Sequence, residues 1–285
     1  MADHKTPLEP PPAYTDDPPA APSATNAAPP PRQGMVRAPL PLNLPALNMI
    51  RGKRVILASA SPRRRQLLAQ SDDSKLSGTN DSHLEQVGLN ELEIIPSTEP
   101  ENQDKALPPF EYVLATAEQK ARNVYAAQID SPQGEPALVI AADTVVSTHM
   151  GQILEKPRSE RDHIATLKML RDQNGGWHKV YTAVVCMAPL DSLADPGYAF
   201  ETHVEETAVK FDQSVTDDLI VSYVRTREGA DKAGGYGIQG VGSILVEKID
   251  GTFDNVVGLP LRATLQLIEK VIVEPDVPDE VEEAL

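Results

Sequence analysis

The stretch that decides the fold runs from residue 54 to residue 65 and reads Arg54-Val55-Ile56-Leu57-Ala58-Ser59-Ala60-Ser61-Pro62-Arg63-Arg64-Arg65. Its apolar part, residues 54–58, is typical of a short buried strand. Ser61 suits the N-cap of a helix and Pro62 its first turn. A strand that passes directly into a helix predicts an α/β protein.

The first turn of that predicted helix carries Arg63, Arg64 and Arg65. A helix N-terminus exposes free N–H groups and the positive end of the helix dipole, so three cations there call for a compensating anion. A guanidinium group matches the oxygen atoms of a phosphate. The turn therefore predicts a phosphate-binding site, with a solvated basic face as the alternative.

Strand-like and helix-like segments alternate through the rest of the chain without an internal repeat. Apolar runs and helical spacing predict strands near 93–95, 137–142, 178–188, 199–211 and 243–249, and helices near 110–125, 159–174, 216–224 and 260–272. This order predicts an α/β fold, a mixed β-sheet with flanking helices.

Three segments are predicted to lie outside the packed domain. Residues 1–45 hold 13 of the 26 prolines, so residues 1–47 are expected to form a disordered Pro-rich tail. Residues 274–285 carry six acids and no base, which predicts an acidic tail. Residues 71–90 are polar and predict a surface insertion. The domain is therefore expected to span 48–273.

The composition limits the partners. The formal net charge is −16, which disfavours nucleic acid polymers and anionic membranes but not a small anion held in a cleft. Cys186 is the only cysteine, so an intramolecular disulfide is excluded and a buried thiol is expected. The chain has no long apolar run and no secretory pattern, so a cytoplasmic protein is expected.

Asp143 follows the apolar run 137–142 and is predicted to end a buried strand, where ligands gather in α/β proteins. A carboxylate there binds a divalent metal or accepts a proton from water, and a turn-forming aspartate is an equal alternative. Lys156 follows a turn that would return it towards Asp143. Glu99 and Glu101 add carboxylates in a loop.

Residues 235–240 match the string G-x-G-x-x-G. Dinucleotide binding requires a strand before this string and a helix after it, whereas here a helix precedes and a strand follows. The sequence therefore excludes this use, although a glycine-dense loop still lets the backbone approach a ligand closely. Histidine pairs at metal-ligand spacing and the P-loop string are absent from the sequence.

Five segments, taken in order, resemble the Maf family of nucleotide pyrophosphatases, and the resemblance spans about residues 52–272. They are residues 57–64, 142–146, 154–157, 232–240 and 255–260. The resemblance implies a fold of the inosine-triphosphate-pyrophosphatase type with a cleft between two lobes. It also implies hydrolysis of a nucleoside triphosphate to the monophosphate and pyrophosphate, assistance by Mg²⁺ or Mn²⁺, a homodimer and a role in nucleotide housekeeping.

Carried over by position, the resemblance assigns the triphosphate to Ser59, Arg64, Lys120 and Lys156. It assigns the metal to Glu101 and Asp143, with Asp143 also the base for the attacking water. Because Pro100 precedes Glu101, a shift of the loop would make Glu99 the ligand instead.

Arg63, Thr144 and Gln239 resemble the dTTP/UTP pyrophosphatases of the family, whereas the 7-methyl-GTP group tends to have Trp, Gln and Glu there. A glutamine amide presents both a donor and an acceptor to a uracil edge. Pyrimidine triphosphates are therefore the expected substrates. The alternatives are a pyrophosphatase for 7-methyl-GTP or inosine triphosphate, and a non-catalytic nucleotide-binding regulator of division or septation.

Overall fold

The computed structural model describes residues 42–69, 89, 92–100, 103–104, 106–190 and 197–275. Glu101, nearly all of the expected insertion at 71–90, and most of both expected tails lie outside the described residues.

The described chain forms one seven-stranded sheet with helices on both faces. The strands are β1 Val55–Leu57, β2 Leu92–Ile94, β3 Leu138–Ser147, β4 Ile153–Leu154, β5 Trp177–Pro189, β6 Tyr198–Phe211 and β7 Val246–Asp250. The helices are α1 Pro45–Ile50, α2 Pro62–Leu68, α3 Pro109–Gln128, α4 Glu160–Asp172, α5 Asp217–Arg225, α6 Phe253–Val257 and α7 Leu261–Ile272.

The sheet is mixed, with two parallel and four antiparallel pairings, and its strand order is β2-β1-β3-β5-β6-β7, with β4 also pairing with β3. β1 runs parallel to β2 and β3, while β5, β6 and β7 follow β3 in antiparallel succession. The mixed sheet with flanking helices confirms the predicted fold class.

The edge of β3 that faces β1 changes partner along its length. β1 pairs with it as far as Leu57 and Ile140, and β4 takes over where Leu154 pairs with Val146. Among the described residues, the stretch 141–145 between these pairings has no strand partner on that edge. We call this stretch the sheet gap.

Asp143 lies within β3, so the prediction that it ends the strand is wrong. It pairs with Ala183 of β5, and β3 continues to Ser147. The continuation contains Thr144, Val145 and Val146, and such β-branched residues favour extended backbone. Asp143 nevertheless lies just past the end of β1, so the expected position relative to the parallel partner is retained.

The alternation of β3 sends neighbouring side chains to opposite faces of the sheet. Leu138, Ile140 and Ala142 pack in a cluster with α1, α2 and α7. Val139, Ala141 and Val145 pack in a second cluster with α3. Asp143 therefore shares the α3 face, and Thr144 shares the α2 face.

Helix α1 begins at Pro45, inside the segment that the sequence analysis assigned to the N-terminal tail. Its Ala46, Leu47 and Ile50 are buried in the same cluster as α7. Burial of these three side chains contributes hydrophobic stabilisation to the short helix. The packed domain therefore begins no later than Pro45, three residues before the predicted boundary at residue 48.

Residues 234–240, which we call the glycine-rich segment, contain no α-helix or strand and begin within a 3-10 turn at Ala233–Gly235. A 3-10 turn at Val241–Leu245 follows it, and the last strand begins at Val246 rather than at Ser243. This order of elements agrees with the exclusion of a dinucleotide motif. Cys186 is fully buried in β5, and burial raises the pKa of its thiol. No helix within the described ranges is long and apolar enough to cross a membrane.

Candidate active site

Lys120 and Asp143 form an ion pair in the sheet gap. The Lys120 Nζ lies 2.8 Å from Oδ1 of Asp143, and the two side chains are 17% and 13% exposed. Val113, Ala117 and Ala121 of α3 are buried at helical spacing, which fixes this helix against the sheet. Lys120 is adjacent to that buried face, so packing of α3 brings its ammonium group to the carboxylate.

Arg64 lies on the opposite face of β3 and is only 8% exposed. Its Nε donates to the Gly258 carbonyl at 2.8 Å, and its Nη1 donates at 2.9 Å to both the Ala142 carbonyl and Ser59 Oγ. Its Nη2 donates to Thr144 Oγ1 at 2.8 Å. The guanidinium group therefore joins the turn before α2, the gap in β3 and the turn before α7. It is a fixed positive charge.

A directional chain of hydrogen bonds extends from Arg64 to β5. Thr182 Oγ1 donates to the Asn255 carbonyl at 2.9 Å and lies 3.0 Å from Thr144 Oγ1. Because a carbonyl only accepts, the Thr182 proton is used there, and Thr144 must donate to Thr182. Thr144 in turn accepts from Arg64. The Thr144 hydroxyl is thus engaged within the protein.

Arg63, the preceding residue, faces the glycine-rich segment. A Cβ atom placed on Gly237 would lie 3.5 Å from its Nη1. Burial lowers the pKa of Arg63, and the nearby Asp231, Tyr223 and Glu228 act in the opposite direction. Its buried Nε has no hydrogen-bond partner among the described residues. A buried donor without a partner is costly, so Arg63 is suited to receive a polar ligand atom.

The glycine-rich segment lies beside the segment that carries Lys156. Gly234 N donates to the Glu155 carbonyl at 3.2 Å. Lys156 is exposed, and Gln239 is half-buried. Within the described chain, neither side chain has a hydrogen bond or an ion pair, so both are available for a ligand.

Pro100 and Gln103, the described residues on either side of Glu101, both contact Gln119 of α3. Gln119 Nε2 donates to the Pro100 carbonyl at 3.3 Å, and Gln119 Oε1 accepts from Gln103 Nε2 at 3.0 Å. Glu99 is exposed, and Glu101 itself lies outside the described residues. The described residues contain no group of three or more His, Cys, Asp or Glu side chains arranged to hold a metal ion.

Three residues of this region were missed in the sequence analysis: Thr182, Asn255 and Glu228. Thr182 and Asn255 are fully buried, and their partners lie far away in sequence. A polar residue within the apolar run 180–188 was the available signal for Thr182. Glu228 accepts hydrogen bonds from the backbone after Gly240, and nothing in its sequence neighbourhood marks it.

The fold and the site together define an α/β protein that gathers a carboxylate and several cations at a break in its sheet. Residues 54–271 match the family described as Maf-like protein, so the chain belongs to the Maf family. This membership confirms the resemblance drawn from the motifs.

Curated relatives of this chain carry related names. A dTTP/UTP pyrophosphatase of Schizosaccharomyces pombe is 44% identical over 232 residues, which cover 80% of this chain and 87% of the relative. A dTTP/UTP pyrophosphatase of Caldicellulosiruptor bescii is 39% identical over 219 residues, covering 77% of this chain and 95% of that one. A human protein named probable bifunctional dTTP/UTP pyrophosphatase/methyltransferase is 36% identical over 237 residues, which are 81% of this chain but only 34% of that protein.

Proposed function

We propose that this protein hydrolyses nucleoside triphosphates to the monophosphate and pyrophosphate, with a preference for dTTP and UTP. The names of the curated relatives support the substrate class. The structural observation that carries the proposal is the Lys120–Asp143 pair at the sheet gap. A carboxylate beside cations is what hydrolysis of a phosphoanhydride requires of a protein, namely a proton acceptor and charge neutralisation.

The triphosphate binds to groups on both sides of β3. Lys120 supplies an ammonium group held beside Asp143, and Lys156 supplies one that is exposed at the turn beside the glycine-rich segment. Arg64 contributes its charge from a fixed position, because four hydrogen bonds to other groups orient its guanidinium. Ser59 completes the turn that Arg64 holds. The fixed positions of Arg64 and Lys120 are the electrostatic preorganisation expected for phosphoryl transfer.

A divalent metal, Mg²⁺ or Mn²⁺, fits the residues present. Mg²⁺ is usually held by one or two carboxylates together with substrate phosphates, so a three-residue protein cluster is not required. Asp143 would supply one carboxylate and, as the family resemblance implies, Glu101 a second. In support, Pro100 and Gln103 are hydrogen-bonded to Gln119, which precedes Lys120 in α3. When bound, the metal would neutralise charge on the phosphate oxygens.

In the hydrolytic step Asp143 accepts a proton from water. The water oxygen forms a bond to one of the phosphorus atoms that flank the α–β bridge, and the P–O bond of that bridge breaks. Pyrophosphate is the leaving group, and the ammonium groups of Lys120 and Lys156 neutralise the negative charge that develops on it. The monophosphate is the second product.

Base preference rests with Arg63 and Gln239, both of which have unused hydrogen-bonding capacity among the described residues. Thr144 acts differently, because its hydroxyl already joins Arg64 to Thr182. We infer that Thr144 influences substrate choice through the position of Arg64. The role in nucleotide housekeeping, the cytoplasmic location and the homodimer stay predictions.

The test is product analysis. Purified protein is incubated with UTP, dTTP, 7-methyl-GTP and inosine triphosphate in the presence of Mg²⁺, and pyrophosphate and orthophosphate are assayed separately. We expect pyrophosphate with the monophosphate, and the fastest turnover for UTP and dTTP. Formation of orthophosphate and the nucleoside diphosphate would show cleavage between the β- and γ-phosphates and would contradict the proposed α–β cleavage. Faster turnover of 7-methyl-GTP would contradict the pyrimidine preference, and binding without turnover would favour the regulator.

A further inference from the structure

Glu228 lies outside every motif of the chain, yet its carboxylate is built into the segment that carries Gln239. Its Oε2 accepts from Val241 N at 2.8 Å, and its Oε1 accepts from Gly242 N at 2.8 Å. Both oxygens of one carboxylate thus bind consecutive backbone amides. Hydrogen bonds to an ionised acceptor are stronger than neutral ones, so this contact fixes the backbone firmly.

The same carboxylate packs directly against the residue that follows Gln239. Gly240 has a φ of 122°, and a Cβ atom built on it would lie 2.9 Å from Glu228 Oε2. Glycine is needed at this position because an L side chain would meet the carboxylate and would strain the backbone. Gln239 is therefore held one residue from a rigid anchor.

A second contact fixes the other end of the segment. Tyr223 OH accepts from Gly237 N at 3.3 Å and donates to Glu228 Oε1 at 3.5 Å. The Glu228 carbonyl also accepts from Lys232 Nζ, and the Lys232 stem lies beneath Gly237. The backbone on both sides of Gln239 is thus tied to Glu228, directly or through Tyr223.

Glu228 also acts on Arg63. After Asp231 and Tyr223, it is the third of the groups that favour the charged form of this guanidinium and so oppose the effect of burial on the Arg63 pKa. The geometric contacts of Glu228 are those to the backbone beside Gln239, where each carboxylate oxygen accepts from one amide. A glutamine at 228 would place its N–H₂ group, a donor, opposite one of these two backbone donors.

We propose that Glu228 is a positioning residue for base selection, which holds Gln239 in the arrangement that recognises a uracil or thymine edge. This inference rests on the proposed function. Because Glu228 acts through the backbone of residues 237–242 and not on the phosphates, it should affect discrimination between bases more than the rate of bond cleavage.

The variant Glu228→Gln tests this role in a competition assay with UTP and CTP in one reaction. The ratio of the two kcat/KM values does not depend on the fraction of folded enzyme, so a purely structural role leaves it unchanged. We expect kcat/KM for UTP to fall about tenfold and the UTP:CTP ratio to fall several-fold, with kcat for UTP within about twofold of wild type. The matched control is Glu93→Gln. Glu93 is a half-buried glutamate on β2 that forms an ion pair with Arg54, and its replacement should leave the UTP:CTP ratio at the wild-type value.

A double variant shows whether the effect passes through Gln239. In a Gln239→Ala background, Glu228→Gln should change the UTP:CTP ratio little further, because interacting residues are not additive. If Glu228→Gln does not fold, Tyr223→Phe removes the hydroxyl that supports Gly237 and should shift the ratio in the same direction. An unchanged ratio in Glu228→Gln or Tyr223→Phe, or full additivity with Gln239→Ala, would overturn the inference.

The wild-type measurements separate this inference from the proposed function. Absence of UTP hydrolysis by the wild-type protein contradicts the proposed function before any variant is compared. Equal cleavage of UTP and CTP by the wild type leaves hydrolysis intact and overturns only the role of Glu228 in base selection.

Discussion

The Lys120 ammonium group contacts the Asp143 carboxylate at 2.8 Å, in the sheet gap, where β3 has no strand partner on that edge among the described residues. One residue comes from the long helix α3 and the other from the middle of a buried strand. The contact forms because strand alternation directs Asp143 to the face that α3 covers. Thr144, one residue later, faces Arg64 on the other side. The site is thus built across both faces of one strand.

Replacement of Thr182 by valine should make the position of the Arg64 guanidinium group less constrained, because Thr182 orients the Thr144 hydroxyl that accepts from it. Valine has nearly the same shape, but it leaves the Asn255 carbonyl and the Thr144 hydroxyl without their partner. We expect a loss of about 1–3 kcal/mol in the free energy of unfolding, measured with urea, and a higher KM for UTP. Thr264→Val is the control, since Thr264 Oγ1 only adds a second bond to a helix carbonyl. Equal changes in the free energy of unfolding and in the KM for UTP in the two variants would contradict a role of Thr182 in holding Arg64.

His178 should make the protein sensitive to acid. Burial lowers its pKa to about 4 from 6.5. Its Nδ1 lies 3.2 Å from the Gly176 carbonyl and its Nε2 lies 2.8 Å from the Tyr236 hydroxyl. In the neutral ring Nδ1 donates to the carbonyl and Nε2 accepts from Tyr236. Between these two pKa values the unfolded chain binds a proton that the folded chain does not, so the free energy of unfolding falls as the pH falls.

We expect His178 to contribute a loss of about 3 kcal/mol between pH 6.5 and pH 4. The measurement is urea unfolding at several pH values for the wild type and His178→Gln, a neutral variant that retains a donor and an acceptor. The difference between the two curves should shrink towards low pH, because only the wild type loses this contribution. Parallel curves would show that His178 is not the sensitive group.

Gly235 should tolerate no side chain. Its φ is 77°, and a Cβ atom there would lie 2.6 Å from Cδ2 of His163. We expect Gly235→Ala to destabilise the fold by about 1–3 kcal/mol more than Gly134→Ala, which has a φ of 91° but open space around it. Thermal unfolding compares the two. Similar melting temperatures would mean that the glycine-rich segment adapts easily.

Removal of divalent metal should abolish hydrolysis without unfolding the protein. The described residues contain no metal cluster of their own, so the metal is expected to bind largely with the substrate phosphates. Treatment with EDTA should therefore eliminate UTP turnover but leave the thermal unfolding midpoint of the substrate-free protein within about 2 °C. Addition of Mg²⁺ or Mn²⁺ should restore activity. Full turnover in EDTA would contradict a metal-dependent mechanism.

Local patterns were sufficient to predict most elements of this fold. The apolar run before Ser61 and the cap at Ser159 marked the starts of helices that the structure contains. The apolar run before Asp143 predicted a strand but not its end, because β3 is prolonged by pairing with β5, which is distant in sequence. The mixture of parallel and antiparallel pairings in the sheet has the same non-local origin.

Residues of the candidate site were predictable only where a side chain with suitable chemistry lies within a recognisable local sequence motif. The turn before α2 pointed to the arginines, but only the family resemblance gave Arg64 and Arg63 different roles, because the helix pattern did not show that Arg64 is buried and that Arg63 faces Gly237. The positions of Thr182 and Glu228 depend on contacts with residues more than ten positions away. Such contacts arise from packing, and a single sequence does not display them.

The most direct test of the account is the turnover of UTP by Asp143→Asn, together with the affinity of this variant for a non-hydrolysable UTP analogue. The ion-paired but exposed Asp172, as Asp172→Asn, is the control. If Asp143 accepts the proton from water, kcat should fall by at least about 100-fold while the analogue binds with nearly wild-type affinity. Turnover within about threefold of wild type would contradict the assignment of Asp143 and, with it, the proposed site.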